Sequence, residues 1–168
     1  DVCSKLIESI EIFPNYPGDF DTWHDGRCAQ IICQMNTPYD DGRKKILKDG
    51  FTFTYGQAQK WVNMTLKYLW LLDMLPKDLS EAKLHVPVDS FILEALKETQ
   101  QFNTEENKIT GSGESYYYNG EAWSAISEYK NYKNLQDGIR NIAEKQGISP
   151  IQWEGSAWMD VAKKRSSK

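Results

Sequence analysis

No apolar stretch in this sequence reaches the length of about 18 residues that a membrane-crossing helix needs, so a helical membrane span is excluded. Histidine is scarce. His24 and His85 are the only two, and neither has a second His or Cys at ligand spacing, so no metal site is expected. The three cysteines, Cys3, Cys28 and Cys33, are too few and too oddly spaced for a disulfide framework. Cys28 and Cys33 fit neither a zinc pair nor a redox pair, and free thiols in a reducing compartment are the expectation. Phosphate loop, Rossmann glycine pattern and His-Glu-x-x-His are all missing, and nothing local selects a Ser–His–Asp triad. No cofactor is therefore expected. No signal-peptide pattern is visible, and the expected location is cytoplasmic.

An excess of positive charge is also lacking. Twenty Lys and Arg stand against 24 Asp and Glu, a net charge of −4. Indiscriminate binding to nucleic acid rests on neutralised phosphates, so this balance argues against it but leaves room for local patches. Arg43, Lys44, Lys45 and Lys48 form one such patch, and Lys163, Lys164, Arg165 and Lys168 another. Both read first as solvated helix ends. What the chain has in quantity is aromatic surface. Six Trp and nine Tyr suit cores, pockets and interfaces. At 168 residues it is long enough for a single domain, 1–168, with a real core.

Apolar positions recur mostly at intervals of three and four, the helical period. Val2, Leu6, Ile7 and Ile10 define a short first helix that ends before Pro14. Asp19 or Asp21 caps a second helix carrying Phe20, Trp23, Cys28, Ile31, Ile32 and Met35. A third, basic helix is expected over 38–48, ending at Gly50. Phe51–Tyr55 alternates and reads as extended or as a linker. The strongest helix runs from Tyr55 to about Leu75. Ala58, Val62, Leu66 and Leu69 form one stripe on it. Trp61, Met64, Tyr68, Leu71 and Leu72 widen that stripe, so this helix is expected to be central. Asp89 caps the next helix, with Phe91, Ile92, Leu93 and Leu96. Residues 100–121 are polar and read as the longest loop. A long helix is expected over 121–146, closed by Gly147. Ser149-Pro150-Ile151-Gln152 opens the last helix. The expected fold is all-α: one compact domain of six to seven helices around the helix at 55–75, with little or no sheet.

One constellation carries chemistry. Gly56-Gln57-Ala58-Gln59-Lys60 opens the central helix, and Val86-Pro87-Val88-Asp89 opens the next well-marked one. An amine in a first turn feels the positive end of the helix dipole, and partial burial among aromatics disfavours its ammonium form. Such an amine can act as a nucleophile. A carboxylate at a helix N-terminus is held ionised and fixed in direction. Together they suit a displacement at a sugar carbon. Taken singly, Lys60 is a solvated first-turn lysine and Asp89 a cap worth about 1 kcal/mol.

The stretch 51–96 resembles the helix-hairpin-helix DNA glycosylases, most closely the archaeal type that removes 8-oxoguanine. In that superfamily a glycine hairpin leads into a helix bearing the catalytic lysine, and a later Val-Asp at a helix start supplies the catalytic aspartate. Lys60, four residues after Gly56, is similar to the first signature, and Val88-Asp89, preceded by Pro87, to the second. Ala58 stands where the second hairpin glycine would be, and Phe91, Leu93 and Glu94 occupy the region where an arginine often follows the aspartate. The resemblance implies a flipped base in an aromatic pocket and β-elimination through a Schiff base. It makes Lys60 and Asp89 catalytic, with Gln57, Trp61, His85 and Trp123 as substrate-binding residues and DNA as the partner.

A second reading is a non-enzymatic module that binds a protein partner through an aromatic-rich surface, such as an inhibitor, an antitoxin or a phage-encoded antagonist. A third is a small-molecule sensor with an aromatic pocket. The first requires Lys60 and Asp89 to face one cleft, beside a shared hollow. The second requires an exposed aromatic patch and no converging polar pocket.

Overall fold

A computed structural model describes residues 2–37, 50–99, 102–103, 108–111, 114–118 and 120–167. Its helices are α1 (Val2–Glu11), α2 (Phe20–Asn36), α3 (Tyr55–Leu71), α4 (Ser90–Glu98), α5 (Tyr129–Lys145) and α6 (Pro150–Ser166). Short 3-10 turns lie at Phe13–Asn15, Glu81–Lys83 and Trp123–Ala125. The architecture is all-α. The basic helix expected over 38–48, with Arg43, Lys44, Lys45 and Lys48, lies outside the described residues, as does Lys168.

Local chemistry explains most helix ends. Asp19 caps α2 by accepting from the Thr22 amide. Thr54 and Gln57 form a capping box at α3, and Ser149 and Gln152 form another at α6, where Pro150 sits in the first turn. Asp89 caps α4 by accepting from the Phe91 and Ile92 amides. Gly147 ends α5 at φ +67°.

Three expectations need correction. The central helix stops at Leu71, not near Leu75. Asp73 turns left-handed at φ 56°, and the Met74 amide reaches back to the Leu69 carbonyl at 2.7 Å, a Schellman closure one turn early. The long helix expected over 121–146 begins only at Tyr129. Residues 122–126 are instead docked on the start of α3. There Gly56 N–H donates to the Ile126 carbonyl at 2.9 Å, and the Thr54 hydroxyl to the Ser124 carbonyl at 2.7 Å. A Cβ at Gly56 would lie 1.8 Å from the Trp123 carbonyl oxygen, so only glycine permits this approach. Finally, the stretch expected as the longest loop holds a three-stranded antiparallel ribbon, β1 (Phe102–Asn103), β2 (Lys108–Gly111) and β3 (Glu114–Tyr117), in that order, with Ile109 opposite both Phe102 and Tyr116.

The core forms around α3. Ala58, Val62 and Leu66 have no exposed surface and pack with α2 and α5. The segment leading into α4 contributes Leu84, Val86 and Val88, also sealed from solvent. α4 packs chiefly against α6. The residues expected to broaden the buried stripe of α3 do not. Trp61, Tyr68, Leu71 and Leu72 are exposed, and Met64 is half-buried.

Candidate functional site

Residues 84–89 run extended, yet among the described residues they pair with no strand. Buried carboxamides take the place of that strand. Gln136 accepts from the Val86 amide at 2.9 Å and donates to the Val86 carbonyl at 2.8 Å. Gln59 does the same for Val88, at 3.1 and 2.8 Å. Asn63 donates to the Val86 carbonyl at 3.1 Å and to Gln59 at 3.0 Å. Each backbone group thus finds the partner that burial demands. The strap fixes where Asp89 emerges. One carboxylate oxygen is held by the α4 amides at 2.9 and 3.1 Å, and the other accepts from Lys60 Nζ at 3.2 Å.

Lys60 and Asp89, 29 positions apart, therefore meet at the edge of the α3–α4 junction, with side chains 32% and 15% exposed. The Lys60 ammonium also lies 4.8 Å from the centre of the Trp123 ring, a cation–π contact. Two turns along α3, Lys67 donates to Glu154 of α6 at 2.5 Å. Glu154 is almost fully buried. Burial raises its pKa, and the hydrogen bond and charge of Lys67 oppose that rise. Lys60 and Lys67 share one polar edge of α3, whereas Asn63, between them in sequence, points into the core.

The other expected site residues part company. Trp123 stands beside Lys60. The Gln57 side-chain oxygen Oε1 is committed to the Thr54 amide at 3.1 Å, inside the capping box. Trp61 turns away from the Lys60 edge into a groove of about 310 Å³ between α1 and α3, where Ile7, Met64 and Tyr68 are neighbours. His85 is buried and belongs to a different assembly. The pair meets, but the shared cleft expected beside Lys60 and Asp89 is not among the cavities described in the structure, which other residues line. The first-turn amides of α3, which a helix-hairpin-helix protein would aim at a phosphate, are used internally. Gly56 N–H goes to Ile126, Gln57 N–H to the Thr54 hydroxyl, and Ala58 N–H to the Thr54 carbonyl.

That other assembly is one sequence reasoning missed. His24 and His85, 61 positions apart, come together with ring centroids at 4.4 Å. Asp21 accepts from His85 Nε2 at 2.7 Å, and His85 Nδ1 faces the Tyr132 hydroxyl at 2.8 Å. Asn63 Nδ2 also lies 2.9 Å from that hydroxyl, so its two protons are shared among three acceptors, while its oxygen accepts from His24 Nε2 at 2.7 Å. The pattern assigns both imidazoles as neutral, each with its proton on Nε2. Burial lowers His24 well below its ordinary pKa, and it lowers His85 to about 4 against the partial support of Asp21. Burial would raise Asp21, but hydrogen bonds from His85 and Arg140 overcome it and hold the carboxyl well below the usual range. Arg140 grips Asp21 with both terminal nitrogens, at 2.6 and 3.0 Å. Asp21 and Arg140 reach the wall of a cavity of about 550 Å³ at the start of α2. No local motif announces this cluster, because its members come from α2, α3, α5 and the extended segment. Among the described residues no group of three or more His, Cys, Asp or Glu converges as metal ligands. No described helix is long and apolar enough to cross a membrane.

Comparison with protein-family models, with curated proteins and with solved structures finds no match to this chain.

Proposed function

We propose that this chain is a DNA glycosylase/lyase-like protein whose reacting pair is Lys60 and Asp89. The observation that carries the reading is the 3.2 Å contact between them, made by two residues whose sequence contexts independently call for a nucleophilic amine and a fixed carboxylate. Asp89 is anchored by two backbone amides through one oxygen, which leaves the other free to hold or take a proton from Lys60.

In the proposed reaction Lys60 passes a proton to Asp89, and its nitrogen lone pair forms a bond to the sugar C1′. The glycosidic C1′–N bond breaks, and its electron pair leaves with the base, which takes up a proton. Opening of the sugar ring gives an iminium between Lys60 and C1′. Removal of a C2′ proton then expels the 3′ phosphate by β-elimination. The Trp123 face beside the amine disfavours water there and suits a planar base or sugar intermediate. Because the α3 first-turn amides are occupied within the protein, the reading assigns phosphate no grip at that turn.

Sodium borohydride trapping on duplexes containing 8-oxoguanine or an abasic site tests this directly. A covalent adduct is expected with the wild type. It is expected to be lost in Lys60→Gln and to fall at least about tenfold in Asp89→Asn, the scale of a lost proton-transfer group. No adduct on either duplex, or an adduct that survives Lys60→Gln, overturns the reading.

A specific observation also favours recognition of a protein partner. Trp61, Tyr68, Leu71 and Leu72 are 42–67% exposed along one helix, a density of apolar surface characteristic of contact faces.

A further inference from the structure

We propose that the outer face of α3 is a two-fold interface joining two copies of this chain. The inference rests on the reading of that face as a contact surface and names its partner.

The face is a seam. Trp61, Tyr68 and Leu72 lie seven and four residues apart, a spacing that sets side chains along one line of a helix; Leu71 stands beside them in the last turn, and Met74 follows at the Schellman closure. Exposure is 42% at Trp61, 56% at Tyr68, 58% at Leu71, 67% at Leu72 and 63% at Met74, and Ile7 of α1 adds 40% beside them. Together they leave on the order of 700 Å² uncovered, close to the roughly 800 Å² that each partner buries in a standard-sized interface. None of the six carries a charge, so two copies can meet there without burying an unpaired ion.

The seam is also complementary to itself. Its N-terminal half is concave: Trp61, Met64, Thr65 and Tyr68 form one wall of the groove of about 310 Å³, and α1 forms the other. At its C-terminal end the helix closes at Leu71 and leaves Leu72 and Met74 largely exposed. A two-fold axis beside Tyr68 runs the two helices antiparallel and sets residues equally far before and after that position opposite one another. Leu72 then faces Met64 of the second copy, and Leu71 faces Thr65. The exposed apolar end of each chain then lies against the groove of the other, as an isologous contact requires.

Sedimentation velocity on the full chain, from about 1 to 100 µM, is the test, because a mass-action dimer shows as a concentration-dependent rise. The average mass is expected to climb from 19.4 kDa toward twice that value. Tyr68→Glu sets two carboxylates against each other at the axis and is expected to weaken association at least tenfold. Its helical circular dichroism should stay unchanged, since Tyr68 is exposed. Met159→Glu, at an exposed apolar residue of α6, is expected to associate like the wild type. A mass that stays at 19.4 kDa throughout, or a Tyr68→Glu protein that associates as well as the wild type, overturns the proposal. Affinity capture from a cell extract with wild-type and Tyr68→Glu baits separates the two failures. A partner retained only by the wild type would sink self-association and keep the contact surface, whereas identical captures from a monomeric chain would sink both.

Discussion

Turned inward, α3 carries Gln59 and Asn63, neither with any exposed surface; turned outward, it carries Trp61 and Tyr68, 42% and 56% exposed. Beside the ordinary buried line Ala58–Val62–Leu66, these four residues invert the polarity that a surface helix shows. Both sides follow one rule, that a group goes where its demands are met. The carboxamides are sealed in because a strand without a strand partner needs their donors and acceptors. The aromatic and aliphatic side chains stay out because α2, α5 and the 122–126 segment pack on the other sides of the helix. On the inner side the demand is satisfied within the chain. On the outer side it is open, and that is why function is sought there and along the polar edge between the two.

The comparison breaks most severely at Asn63. Replacement by Leu keeps the branched shape but orphans His24 Nε2 and removes one partner from both the Val86 carbonyl and the Tyr132 hydroxyl, and about 4 kcal/mol of stability should be lost in urea titrations. A cost under about 1 kcal/mol would mean that the inner amides are as dispensable as surface ones.

The next effect is a pH dependence. His85 is neutral in the fold, with its pKa lowered from 6.5 to about 4. Between those values the unfolded chain binds the extra proton, so stability is complete above 6.5 and falls as pH drops toward 4. The difference is about 3 kcal/mol, and His24 adds to it in the same direction. Asp21, with its carboxyl depressed, adds a further loss only as pH falls below its ordinary value. Urea midpoints measured at pH 7, 6, 5 and about 4 should trace this slope, and His85→Gln should flatten it.

Smaller effects are expected at the polar edge. Asp89→Ala removes a cap and an ion pair together and should cost about 1–2 kcal/mol, while Lys60→Met, at a side chain a third exposed, should cost less than about 1 kcal/mol. Equal costs would mean that Asp89 matters to folding only as the partner of Lys60. Smallest of all, Leu72→Gln should change the stability of the dilute monomer by less than about 0.5 kcal/mol, which would sharpen the contrast with Asn63.

The helix starts were readable because their causes are local. Asp19, Thr54, Asp89 and Ser149 each bond an amide two or three residues on, and Gly147 takes a backbone sign that other residues resist. The two helix starts that carry Lys60 and Asp89 were readable for the same reason, although Asp89 is the cap before α4 and Lys60 lies in the second turn of α3, not the first. The premature end of α3 at Asp73 was not, since no glycine or asparagine announces it. Nor was the ribbon over 102–117, whose strands of two to four residues are too short for a period to register.

Sequence alone determined the all-α class, the caps and the buried line Ala58–Val62–Leu66, because each depends on neighbours within a turn or two. Tertiary structure decided which flank of α3 faces water, that Gln59, Asn63 and Gln136 would serve as a substitute strand, and that Asp21, His24, His85 and Tyr132 would meet. Those outcomes depend on which distant segment arrives to compete for each surface, and a hydrogen bond or a buried area exists only once both of its halves are in place.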